Sequence, residues 1–436
     1  MKKYNFLYIV LSIVALVGTS GCQKDFINPN APQKETVLAS TDGLLGFAVG
    51  IRREYCGTST GALYNAITAS GLSGKELVVL NTGNGELAAL ESGGANVGGA
   101  NAFVTNLWAS SNLTRHYADE LIQNADIARE PAGLNNAIKA YGQLFKALGI
   151  ATSATFFEKV TTEFVSTKDY LQNNKRATFI SRIDALKEAI ALLEAAEGNW
   201  NGASADAKNA LTAKVGTGIN LKNTIPALIA RYALMAGDYT KALANADKVD
   251  LTSKSTFIYE ALTPNPVHAA LVSNNTYGGK ANYGLEGALL PEKADTFRLK
   301  FYLGNKALNK VTGFYTAIDA AIPVYLPSEM TLIKAECYAR TDKNTEAVTE
   351  LNKVITKTAD PFGVTAKLPA FASTDKAEIL NKIYQNRCIE LFLSGMKLDD
   401  ARRFGRPYPA ERSRAFYPYP LSERDNNPNT PPNPGE

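Results

Sequence analysis

Long stretches of this chain carry apolar side chains at every third or fourth position, and nothing else in the sequence limits its folding as strongly. Asn135 to Phe157 holds Ile138, Tyr141, Leu144, Phe145 and Leu148 in that pattern, and Phe179 to Ala196 repeats it with Ile180, Ile183, Leu186, Ile190 and Leu193. Such spacing lays one apolar stripe along a helix and does not fit the two-residue alternation of a half-buried strand. Gly198 reads as the stop of the second helix, leaving Trp200 in a polar loop. Thr224 to Val249 and Met330 to Ile355 each read as two helices around a short polar turn, Gly237-Asp238-Tyr239 in one and Thr341-Asp342-Lys343-Asn344 in the other. These two segments align with each other: Leu228 to Ala233 falls on Leu332 to Cys337 at an offset of 104, and Ala242 falls on Ala347 at 105. Paired helices with small residues where they cross follow the tetratricopeptide pattern, here dispersed and not tandem. The expected class is all-α.

Composition narrows the functions open to such a fold. With 45% hydrophobic residues in 436, a packed core is affordable and global disorder is excluded. A formal charge of +4, from 46 basic and 42 acidic residues, is too balanced for a general nucleic-acid binder. Two histidines, His116 and His268, are too few for a multi-His metal site and suggest no Ser/His/Asp arrangement; both read as surface or packing residues. The cysteines, at 22, 56, 337 and 388, form no CxxC pair.

The first segment reads as an address and an anchor. Lys2 and Lys3 precede an apolar run from Phe6 to Val17, broken only by Ser12. A bilayer crossing takes about 20 apolar residues, so this run is a signal-peptide core. Small residues then lead into Cys22 (Val17-Gly18-Thr19-Ser20-Gly21-Cys22), which resembles a bacterial lipobox. The expected organisation is a leader at 1–21, a lipidated Cys22, a Pro/Asn-rich tether at 22–34 and one domain from 35 to 436, its N-terminal part ending near 255. Several acyl chains on one residue give stable anchoring. The remaining thiols, Cys56, Cys337 and Cys388, are odd in number. Helical patterns around Cys337 and Cys388 favour buried free thiols and leave a bridge between them open.

Between the helical segments lie Asn81 to Asn101, dense in Gly and Asn, and Leu262 to Pro291, mixed in Pro, Gly, Asn and Tyr. Both read as loops, and the Pro-rich tail from Tyr408 as an extended surface strand of chain. Gly83-x-Gly85, Gly93-Gly94 and Gly98-Gly99 lack the GKS/T and the strand-to-helix frame of a phosphate loop. No EF-hand pattern appears. A glycosidase needs two carboxylates about 5 to 9.5 Å apart, and no acidic residue stands out in such a setting.

Three blocks near the C-terminus carry a resemblance. The first is Glu329-Met330-x-Leu332-Ile333-x-Ala335-Glu336-Cys337-Tyr338-Ala339-Arg340. The second runs from Arg387-x-x-Glu390-Leu391 through Ser394-Gly395-x-Lys397 to Asp400-Ala401-x-Arg403-x-Gly405. The third is Phe416-Tyr417-Pro418-Tyr419-Pro420-x-x-Glu423, followed by Asn427-Pro428. Together with the lipobox and Phe26-Ile27-Asn28-Pro29-Asn30-Ala31-Pro32, they resemble the SusD/RagB family of outer-membrane nutrient-binding lipoproteins. The chain departs from the family pattern at Ser394, Lys397 and Ala401, where Glu, Arg and Leu are usual, and at Pro327, where Arg is common. Within the second block, Arg387 with Glu390 and Asp400 with Arg403 are spaced to pair along one helix face.

The resemblance implies a SusD-like helical fold with dispersed tetratricopeptide-type helix pairs and long ligand-binding loops. It implies a lipid-anchored outer-membrane protein that captures oligosaccharides and passes them to a SusC-like TonB-dependent transporter, with no catalysis and no cofactor. Peptide or glycopeptide capture and a lipoprotein glycoside hydrolase remain as alternatives. The site would be built from Asn81 to Trp108 and Phe257 to Tyr325. Rings stack on the C–H face of a sugar and amides bond its hydroxyls, so the candidate residues are Asn101, Trp108, Tyr277, Tyr283 and Tyr302.

Overall fold

A computed structural model describes residues 34–304 and 310–435 of the chain. Cys22, its leader and the tether up to residue 33 lie outside the described residues. The N-terminal part contributes α1 (Lys34–Leu38), α2 (Thr41–Cys56), α3 (Ala62–Ser73), α4 (Gly85–Ser92), α5 (Ala102–Asn124), α6 (Leu134–Phe156), α7 (Thr167–Gln172), α8 (Arg182–Gly202), α9 (Ala205–Val215), α10 (Leu221–Ala236) and α11 (Tyr239–Ala246). After a long connection come α12 (Thr296–Leu303), α13 (Pro327–Arg340), α14 (Asn344–Ile355), α15 (Lys376–Glu390), α16 (Lys397–Arg403) and α17 (Leu421–Asn426). The described strands form three short antiparallel pairs: β1 (Leu77–Val79) with β5 (Tyr277–Gly279), β2 (Lys159–Val160) with β3 (Ile180–Ser181), and β4 (Thr256–Phe257) with β6 (Ile322–Pro323). Among the described residues, no helix is long and apolar enough to cross a membrane.

The predicted helices are present, and their stripes build one continuous stack. α6 packs on α8, α8 on α10, α10 on α11, α11 on α13, and α13 on both α14 and α15. The two aligned segments, α10–α11 and α13–α14, are therefore neighbours in space although a long excursion separates them in sequence. Leu228, Ile229, Leu332 and Leu351 are fully buried in this stack. Each contributes about 1.5–3 kcal/mol by leaving water. Ala227, Ala230, Ala335, Ala339 and Ala347 are buried beside them, where a larger side chain would hold the helices apart. Gly149 has the same role between α6 and α5: a Cβ there would sit 2.6 Å from the Ser111 carbonyl oxygen.

Several local expectations are corrected. Gly198 does not end its helix. It faces open space inside α8, which continues to Gly202, so Trp200 is helical and half-buried, with the Lys208 ammonium 5.3 Å from its ring. The Gly/Asn segment holds α4, because Asn84 caps it by accepting from Leu87 N at 3.2 Å and Leu87 and Leu90 are buried. The tail is not simply extended. Tyr417 and Tyr419 are buried, α17 follows them, and Leu421 N bonds the Gly99 carbonyl at 3.1 Å. Cys56, Cys337 and Cys388 are buried free thiols.

The second sequence block folds into a buried ionic floor. Arg387 grips Asp400 with two bonds of 2.9 Å, Arg340 reaches Glu336 at 2.7 Å, and Arg403 touches Glu336, Asp399 and Asp400. The expected Arg387–Glu390 pair does not form, because the planar guanidinium fork matches Asp400 across the turn. Glu390 is instead held by Lys357 and Arg298. Asp399 takes Arg402 and, at 2.8 Å, Arg182. Burial would raise its carboxyl, but the charges of Arg402, Arg182 and Arg403 bring it down to about 2. Guanidiniums outnumber carboxylates here, and α6 supplies the rest. Its last carbonyls, Ala154 and Thr155, accept from Arg182 and Arg402 at 3.2 and 3.1 Å, at the negative end of the helix dipole.

Candidate functional site

The chain leaves the helical stack after α11 and returns at α13, and these two helices touch. Residues 247–326 are thus an excursion outward from the stack. Such segments are free of core packing duties along much of their length and commonly carry binding surfaces.

Tyrosines fix this excursion to the scaffold. Tyr277 shares a 2.7 Å hydrogen bond with Thr68 of α3, beside the β1–β5 pairing. Tyr302 donates to the Glu390 carbonyl at 2.6 Å, and Tyr315 to the Leu393 carbonyl at 2.7 Å. Tyr283 and Tyr302 both set their rings against Phe392. Asn265 caps the helical turn at Pro266–His268, accepting from Val267 N and His268 N, and donates at 2.9 Å to the Ala320 carbonyl. His268 donates through Nδ1 to the Tyr315 carbonyl at 2.7 Å. Arg298, 1% exposed, ties α12 to Asp295 and, through Asn386 at 2.9 Å, to α15.

The five candidate residues are buried in this structure. Tyr277, Tyr283 and Tyr302 are at most 1% exposed, and Asn101 and Trp108 are each 6% exposed. Tyrosine carries an apolar ring and one polar atom; all three rings are core residues, and the hydroxyls of Tyr277 and Tyr302 act as straps while Tyr283 packs through its ring alone. Trp108 sits between Phe157, Phe179 and Tyr419 and donates from Nε1 to Glu423 at 3.1 Å, which seats the tail helix α17. Asn101 is the N-cap of α5, accepting from Phe103 N at 3.0 Å, while its amide donates to the Glu86 carbonyl at 3.0 Å.

The open surface of the excursion lies elsewhere along it. One hollow of about 320 Å³ is lined by Ala281, Asn282, Leu290, Pro291, Glu292, Lys293, Asp295 and Leu299. A second, of about 340 Å³, is lined by Leu271, Val272, Asn275, Lys310, Val311, Thr312 and Thr316. Leu290 and Val272, in the walls of these hollows, and Phe297 and Ile318, elsewhere on the excursion, expose nearly half of their surface. Each hollow combines aliphatic wall with a few amide, hydroxyl and charged groups, which suits a ligand with apolar faces and a polar rim. Sequence reading missed these residues because none is aromatic; the clustering of Asn282, Leu290 and Pro291 in one segment was the available signal.

The acidic groups beside the cavities are held by cations. Glu292 pairs with Lys382 and Asp295 with Arg298. Deeper in, Glu329 borders a cavity lined mainly by residues 322–326 and 391–394 and is gripped by Arg231 with two bonds of 2.6 Å. Glu76 alone among the carboxyls described is pushed strongly upward, to about 8, by burial, against the pull of Lys397. It is buried and lines neither hollow. Among the described residues there is no group of three or more His, Cys, Asp or Glu that could hold a metal ion.

Residues 300–431 match the sequence model of the SusD family. No curated protein matches the chain. Solved structures resemble it over most of its length. A SusD superfamily protein from Bacteroides fragilis is 14% identical, with a TM-score of 0.68 over 89% of this chain and 98% of that one. A SusD-like carbohydrate binding protein from Bacteroides vulgatus is 16% identical, with a TM-score of 0.68 over 89% and 97%. A SusD/RagB family protein from Bacteroides thetaiotaomicron is 15% identical, with a TM-score of 0.59 over 88% and 94%.

Proposed function

We propose, for a chain that is SusD/RagB-like in its C-terminal sequence and in its fold, that it binds oligosaccharides without transforming them. The observation that carries this reading is the match of residues 300–431 to the SusD family, on a scaffold whose largest excursion carries two open hollows. The ligand lies on residues 271–299 and 310–316, with Asn282, Lys293, Asn275 and Thr312 bonding hydroxyls and Leu290, Pro291 and Val272 facing the C–H surfaces. Tyr277, Tyr283 and Tyr302 hold those loops in place from below. Trp108 and Asn101 do the same for α5 and the tail.

The pairing of carboxylates supports a binder. A retaining or inverting glycosidase needs one carboxylic acid kept protonated next to the scissile bond. Glu292 and Asp295, the carboxylates that line the open hollow, are instead each engaged by a cation, Lys382 and Arg298. The delivery partner is a SusC-like TonB-dependent transporter, and Cys22 carries the lipid that keeps the protein at the outer membrane. Both follow from the family resemblance and the lipobox.

Calorimetric titration of the purified chain against panels of oligosaccharides and of peptides tests this reading, with product analysis of each mixture. Saturable heat with intact oligosaccharides alone is expected. Heat with peptides and none with glycans reverses the ligand class, and any released sugar overturns the non-catalytic assignment.

A further inference from the structure

The buried end of α15 brings a thiol and an amine together. Cys388 Sγ lies 3.0 Å from Lys397 Nζ, and both residues are 3% exposed. Lys397 also donates to the Tyr384 hydroxyl at 3.0 Å and to the Gly284 carbonyl at 3.3 Å. Tyr384 donates in turn to Glu411 at 3.2 Å, so the amine is oriented by a chain of partners and does not swing freely. The other two thiols differ. Cys56 donates to the Arg52 carbonyl at 3.1 Å, and no lysine bonds Cys56 or Cys337 among the described residues.

We propose that Cys388 and Lys397 are a modification site at which hydrogen peroxide forms an oxygen-bridged N–O–S crosslink between α15 and α16. The net reaction is R–SH + R′–NH2 + 2 H2O2 → R–S–O–NH–R′ + 3 H2O. The S–H bond and one N–H bond break, and an S–O and an N–O bond form. Sulfur and nitrogen each lose two electrons, and the two peroxides accept all four. The ammonium proton is lost to solvent before the nitrogen reacts. One peroxide takes the Cys388 thiol to the sulfenic acid, the other takes the Lys397 amine to the hydroxylamine, each releasing one water, and the two condense with loss of a third water to the S–O–N bridge. One bridging oxygen spans a gap close to the 3.0 Å already present, whereas a direct S–N bond would need a much larger movement of two packed helices. Burial holds the Cys388 thiol above its ordinary pKa, against the pull of Lys397, so the reaction is slow and is read at its end point.

Bridging removes the charge of Lys397 and leaves its nitrogen one N–H, so the strap to Gly284 or to Tyr384 is lost. Gly284 belongs to the loop that carries Asn282, and this consequence rests on the binding site proposed above. The crosslink itself does not.

The test is peptide mapping of the native full chain after peroxide. Trypsin cannot cut after a bridged Lys397, so Cys388 and Lys397 stay on the one peptide that ends at Arg402. Its mass should show one oxygen gained and two hydrogens lost, the change should reverse with dithiothreitol, and it should vanish when peroxide is added to the urea-unfolded chain. Lys397→Arg keeps the charge and donors and should give no bridge. Normal cleavage after Lys397, with Cys388 as thiol, sulfinic or sulfonic acid, overturns the proposal. That readout uses the unmutated protein, so it stands if the variant fails to fold.

Discussion

Single side chains in this protein are placed where their chemistry is either satisfied or costly, and Glu76 is the costly case. It is 1% exposed, and the Lys397 charge and the Leu393 backbone offset only part of the cost of its burial. Burial pushes its pKa to about 8 in the folded chain, against about 4.3 when unfolded. Between those values the folded state keeps a proton that the unfolded state has lost. Stability from this group is therefore full below about pH 4.3 and falls as pH rises toward 8. Glu76→Gln should remove that dependence. Urea denaturation should find the variant close to wild type at pH 5 and more stable by a few kcal/mol at pH 8, on the order expected from linkage. A constant difference across that range would show that Glu76 does not titrate there.

At the scale of elements, tyrosine hydroxyls couple the excursion to α15. Tyr302→Phe deletes the bond to the Glu390 carbonyl and leaves the ring in place. The expected loss is about 1 kcal/mol, and hydrogen exchange should quicken across α12 with no change in α6 or α8. Equal quickening everywhere would place Tyr302 in the general core instead. The helices themselves were legible in the sequence, since α6, α8, α10–α11 and α13–α14 each bury a wide stripe that repeats over several turns. α4 was not, because eight residues with two buried leucines give too short a pattern. Nor did Gly198 betray its place inside α8, for an exposed glycine weakens a helix without ending it. The five candidate residues show the deeper limit. Sequence separates a tyrosine that stacks on a ligand from one that straps a loop only through burial, and burial depends on Glu390, Leu393 and Thr68, far away in the chain. Arg387 likewise chose Asp400 over Glu390 for a reason of geometry that spacing on one helix cannot express.

For the whole molecule, the order is a helical stack, a buried ionic floor beneath α15 and α16, and an excursion held down by tyrosines and left open at two hollows. The family match, residues 300–431, covers α13 to α17 and most of the floor, whose remaining groups, Arg182, Arg298 and the α6 carbonyls, come from earlier in the chain. The residues proposed to meet the ligand, 271–299 and 310–316, lie mostly before that match, on the excursion and outside the stacked helices. Hydrogen–deuterium exchange on the full chain, with and without the tightest-binding oligosaccharide from the titration panel, tests this division directly. Protection confined to residues 271–299 and 310–316, with α6, α8, α13 and α14 unchanged, is the predicted map. Protection centred on residues 322–326 and 391–394, around the cavity that Arg231 and Glu329 border, with residues 271–299 unaffected, would contradict it.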